Sequence, residues 1–200
     1  MIKSIIKTEQ FRNEPNFAEL VSDIARIKSD WLAPNAFDGL EDTSRDFLLI
    51  MLETGCRAGD LTGLAPCDIV LDDPIPHICI GDSIRSKNPD SQRKVPLVGL
   101  SLAAANRHPD GFPDCRGYHT LAKLRRFFDR KNLNPGSAPL LAFLRAQYYY
   151  RFMCGCHAGI PIVEEMMGWR RVYVLNKPTS LAERQRLATL IMYPVPPHLA

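Results

Sequence analysis

The chain has 200 residues, 46% of them hydrophobic and 24% charged, with a formal net charge of +3 and six cysteines. That length holds one domain with a full core, or one domain and part of a second, and the composition is that of a globular chain, neither disordered nor membrane-embedded. No apolar run approaches the roughly 18–20 residues of a membrane-spanning helix, and the opening MIKSIIKTEQFRNEPN turns polar too soon for a secretory signal, so a cytoplasmic protein without membrane contact is expected.

The cysteines, Cys56, Cys67, Cys79, Cys115, Cys154 and Cys156, are scattered, and no C-x-x-C pair occurs. Cys154-Gly-Cys156-His157 has no second pair at zinc-site spacing, so reduced thiols and no metal are expected. Lys and Arg are dense at 123–131 and 170–186. Such runs read either as a basic face for nucleic acid or as solvated helix surface.

In chain order, NFAELVSDIARIKSDWL (16–32) has apolar residues at 17, 20, 21, 24 and 27, the spacing of one helix face. A loop with Pro34, Asn35 and Gly39 follows. DTSRDFLLIMLETG then predicts a buried helix with an Asp or Ser N-cap and a stop at Gly55. RAGDLTGL is a short helix closed by Pro66. Between 74 and 97, PHICIG and RKVPLVG flank a polar stretch rich in turn formers, which predicts a hairpin or small antiparallel sheet. Further helices are predicted at 99–107, 118–131, 139–154, 161–167 and 180–192, the last opened by a Ser180/Glu183 capping box. The fold class is mainly α with a small antiparallel β-sheet, α+β. Residues 1–36 read as a separate N-terminal segment and 37–200 as the main domain.

A helix ending in Thr-Gly, then Arg57 and Asp60, Leu61 and Leu64, then CDIVLDD, resembles the first box of the tyrosine recombinase (phage integrase) family. SKNPDSQRKVPLVG resembles its lysine-bearing β2–β3 hairpin, and AFLRAQYYYRFMCGCHAGIPIVEEMMGW resembles its second box. The resemblance spans about residues 40–193. It implies a recombinase-like catalytic domain, with 1–36 as the remnant of a core-binding domain. It also implies double-stranded DNA as partner, a homotetramer on DNA, and strand cleavage and rejoining with no metal or other cofactor. Arg57 and Arg145 would clamp the phosphate, since a guanidinium fork binds two phosphate oxygens and keeps its charge. Asp60 would orient Arg57, Lys87 would protonate the leaving 5′ oxygen, and Trp169 would donate a hydrogen bond. Arg93 and Lys94 would contact backbone phosphates.

The match departs from the pattern at particular positions. Ala142 and Ala146 stand where the family has histidines, Trp169 follows Gly168 where histidine is common, and Leu175 falls near the expected tyrosine. Tyr173 comes early and Tyr193 late for the nucleophile; Tyr173 ranks first and Tyr193 is the alternative. Tyr148, Tyr149 and Tyr150 read as core or DNA-facing aromatics. A second reading keeps the fold and DNA binding but not the cleavage. A third makes the Arg–Asp pairs purely structural in a helical protein with another partner.

Overall fold

The computed structural model describes residues 17–81, 92–116, 118–135, 139–156, 159–169 and 178–200. Lys87 and Tyr173 lie outside the described residues. The described chain is mainly helical, with one three-stranded antiparallel sheet in the order β1-β2-β3.

Helix α1 (Phe17–Arg26) runs into a π-helical turn, Ile27–Trp31, that turns both Ile27 and Trp31 inward. Trp31 sets its ring edge-on to Phe128 at 4.7 Å and donates Nε1–H to the Leu133 carbonyl at 3.1 Å. A buried indole N–H needs such a partner. The described part of the N-terminal segment thus shares the main core.

Helix α2 (Asp42–Thr54) is the central element. Its FLLIML body is buried on every side, as a helix apolar all round must be. Phe47, Leu48 and Leu49 are fully covered, each contributing about 1.5–3 kcal/mol. Around α2 pack α4 (Gly99–Arg107) and α6 (Leu140–Gly155), with α5 (Tyr118–Lys131) supplying Leu124, Phe127 and Phe128 to the same core.

Short helix α3 (Ala58–Thr62) leads to β1 (Ile69–Val70), which pairs with β2 (His77–Ile80); β2 pairs with β3 (Arg93–Pro96), Ile78 facing Val95. Alternation along β3 sends Arg93 and Val95 inward and Lys94 outward. Pro96 is tolerated because β3 is an edge strand. Helices α7 (Ile160–Met167) and α8 (Leu181–Ile191) close a second cluster on α6, built from Tyr148, Phe152, Val163, Met166, Met167, Leu187 and Ile191. Ser180 caps α8 by accepting the Glu183 N–H at 3.2 Å, as its capping pattern predicts.

Three buried ionic groups tie these layers. Asp46 on α2 takes Arg107 Nε at 2.9 Å, Arg45 Nε at 2.9 Å and His108 Nε2 at 3.0 Å. Glu53 takes Arg151 at 2.9 Å, and Glu165 takes Arg184 at 2.5 Å. Arg184 also donates to the Lys94 carbonyl at 2.9 Å, fastening α8 to β3.

Candidate functional site

The α2–α3 junction begins the site. Gly55 caps α2 at φ 63°, a left-handed conformation that glycine adopts freely. A Cβ there would run into the ring of Tyr148 and come within 3.1 Å of Met167 Sδ. The tight passage over α6 and α7 delivers Arg57 to the N-cap of α3 in extended conformation, with Asp60 one turn on.

The other half is the C-terminal end of α7, where Gly168 caps the helix at φ 62°. Its last three carbonyls each receive one guanidinium. Met166 O accepts Arg93 Nε at 3.1 Å, Met167 O accepts Arg145 Nη2 at 3.3 Å, and Gly168 O accepts both Arg57 Nη groups at 3.4 Å. Arg145 Nη1 also donates to the Gly55 carbonyl. Terminal carbonyls of a helix lack intrahelical partners and carry the negative end of its dipole, so cations gather there.

Among the described residues, the contacts of Arg57 and Arg93 include a single carboxylate, Asp60. Its Oδ2 lies 3.1 Å from Arg93 Nη2 and 4.0 Å from Arg57 Nη1, and it accepts the Arg57 backbone N–H at 3.2 Å. Asp60 therefore fixes the backbone of Arg57 and makes its short ion pair with Arg93. Burial, then the charges of Arg57 and Arg93 beside it, bring Arg145 down to about 10. Among the described residues, three guanidiniums thus meet at three terminal carbonyls, with Asp60 paired to Arg93 and Arg57. Arg57, whose side chain is 45% exposed, opens the cluster to solvent. Arg57 and Arg145 have N–H groups left over for an anion, because each guanidinium has five and the described contacts use two.

The structure thus brings together Arg57, Asp60, Arg93 and Arg145, with Trp169 directly after Gly168. Trp169 donates its backbone N–H to Glu164 O at 2.9 Å, and its ring lies 5.4 Å from that of Tyr149. Arg93, expected at a backbone phosphate, has a side chain only 2% exposed; Lys94, its neighbour, faces solvent. The period of two in RKVP carried that signal, since Arg93 shares a face with Val95.

Among the described contacts, Tyr193 meets none of Arg57, Arg93 and Arg145. It lies in the core with its ring 4.2 Å from the Arg151 guanidinium and its backbone N–H on Glu53. Its hydroxyl is buried with no partner among the described residues, and burial, against the charge of Arg151, leaves it pushed up to about 12. Tyr148 is core, its hydroxyl pushed far up by burial.

The basic runs divide. In α5, Lys123, Arg125, Arg126, Arg130 and Lys131 are exposed, and Lys123 pairs with Glu41 at 2.9 Å. In the second run, Arg184 is interior and Arg186 pairs with Glu183 at 2.7 Å. Compared with known proteins, no family model, no curated protein and no solved structure matches the chain.

Proposed function

We propose that this chain is a DNA-binding domain of site-specific recombinase type, which cleaves and rejoins strands through a 3′-phosphotyrosine. The observation that supports it is the convergence of Arg57, Arg93 and Arg145 on the end of α7 with one carboxylate among their described contacts. A phosphodiester between Arg57 and Arg145 would receive the N–H groups that the protein leaves over, in a partly desolvated setting where each bond is strong.

In this reading the Tyr173 hydroxyl gives up its proton to solvent as its oxygen attacks the phosphorus, forming the phosphotyrosyl bond. The bond to the 5′ oxygen breaks, and Lys87 supplies the proton to that oxygen. Trp169 donates its indole N–H to a non-bridging oxygen, and Arg57 and Arg145 offset charge that develops on those oxygens. The 5′ hydroxyl of a partner strand then reverses the step. The mechanism needs neither metal nor nucleotide.

A nicked suicide duplex tests this. Once the strand is cut, the short 5′ fragment diffuses away and a covalent adduct that resists detergent accumulates. Tyr173→Phe is expected to abolish the adduct without loss of binding, and Tyr193→Phe to leave it.

A second reading, a non-cleaving DNA-binding module, is favoured by Ala142 and Ala146 at the histidine positions and by the burial of the Tyr193 hydroxyl. It predicts salt-sensitive duplex binding with no adduct. Failure to bind duplex at low ionic strength would overturn both readings and leave the arginines a structural role.

A further inference from the structure

We infer that Arg93 is a positioning residue of the phosphate site: it touches no phosphate and holds the two halves of the arginine pair in register. The inference rests on the DNA-binding reading above. Arg93 enters from β3 and meets both halves at once. Its Nη2 pairs with Asp60 at 3.1 Å and lies 3.8 Å from Cys56 Sγ, both on the α2–α3 side. Its Nε donates to Met166 O at 3.1 Å on the α7 side.

The guanidinium also packs closely against the helix end. A Cβ on Gly168 would collide with Arg93 Nη1 and come within 2.5 Å of its Cζ. Gly168 is thus required twice, for its positive φ and for this close approach. The carbonyl of that same glycine receives Arg57, and the preceding carbonyl receives Arg145. Whatever fixes Gly168 against Asp60 therefore sets the spacing of both clamps, and Arg93 bridges those two points. Its 2% exposure keeps it behind the half-exposed Arg57. A lysine cannot replace it, since one ammonium does not span both partners with the planar geometry of the fork.

The experiment measures duplex affinity of the full chain against salt concentration. A residue that contacts phosphate contributes about 0.9 to the slope of log K against log salt. Arg57→Ala is expected to lower the slope by about that amount. Arg93→Lys and Gly168→Ala are expected to weaken binding about tenfold, the loss of one well-aligned charge-assisted bond, with the wild-type slope retained. Circular dichroism of each variant confirms that the molecules compared are folded; Arg93→Lys keeps the charge, and Gly168→Ala keeps all three arginines while it displaces Arg93 and strains the cap whose carbonyl receives Arg57.

Unchanged affinity in both folded variants would overturn the inference, giving Arg93 a purely structural role. A slope reduced by about one in a folded Arg93→Gln variant, which removes the charge, would also overturn it, making Arg93 a direct contact. A wild-type chain that binds no duplex would overturn the DNA reading, and this inference with it.

Discussion

Replacing Asp60 with Asn keeps the side-chain shape and the acceptor for the Arg57 backbone N–H but removes the charge that faces two arginines. At 3.1 Å from Arg93 Nη2, the lost attraction is about 5 kcal/mol with an effective dielectric near 20, and at 4.0 Å the Arg57 contribution is about 4 kcal/mol. Most of this is offset in the native protein by desolvation of the same groups, Asp60 being 15% and Arg93 2% exposed. Breaking such a pair from one side typically costs about 3–5 kcal/mol, because the remaining cation stays buried without its partner. The exposed position of Arg57 argues for the lower end, about 3 kcal/mol. Urea unfolding followed by circular dichroism measures it directly. Titrating sulfate into both proteins then adds a second readout. The variant should regain more stability per increment of sulfate than the wild type, since an anion bound in the cluster replaces the missing carboxylate. A loss below about 1 kcal/mol, with equal response to sulfate in both proteins, would refute the reasoning that the Asp60 carboxylate offsets the charge of these arginines.

Three further outcomes are expected. Hydrogen bonds and charges from Arg107 and Arg45, outweighing burial, hold the Asp46 carboxyl below the ordinary range; its stabilisation is therefore full above about pH 4 and is lost as pH falls through its depressed folded value. Asp46→Asn should cost about 3 kcal/mol at neutral pH and flatten the acid limb of a stability–pH profile. Gly55→Ala should lose about 2–4 kcal/mol in thermal or urea unfolding, from the positive φ and the overlap with Tyr148. Tyr193→Phe should be neutral or stabilise by up to about 1 kcal/mol, because it removes a buried hydroxyl that has no partner among the described residues; a clear loss would expose a bond to that oxygen.

Local signals were strong where one element needed only its own residues. The helix that Gly55 ends, the short helix after Arg57, the Ser180 cap and the β2–β3 pairing were all legible, because periodicity, caps and turn residues act within a few positions. Strand β1 was not: two residues, Ile69 and Val70, make a strand only because Ile78 and His77 are there to pair with them. Of the site, Arg57 and Arg145 stood out in the sequence as cations at the end or in the body of apolar helices. Arg93, which the resemblance put at a backbone phosphate, shares the inward face of β3 with Val95, and its side chain is 2% exposed.

What the sequence determined alone was the set of helices, the paired strands around 74–97, and the presence of arginines within largely apolar helices. Only the tertiary structure decided which carbonyls hold them. Met166, Met167 and Gly168 have no side-chain signature for this task; they serve because the capped end of α7 is brought against the α2–α3 junction and β3, across separations of 73 residues for Arg93 and 111 for Arg57. Backbone acceptors are identical in every residue. Which of them meets a given guanidinium is set by the packing of whole elements, and that information is spread over the core instead of residing in any motif.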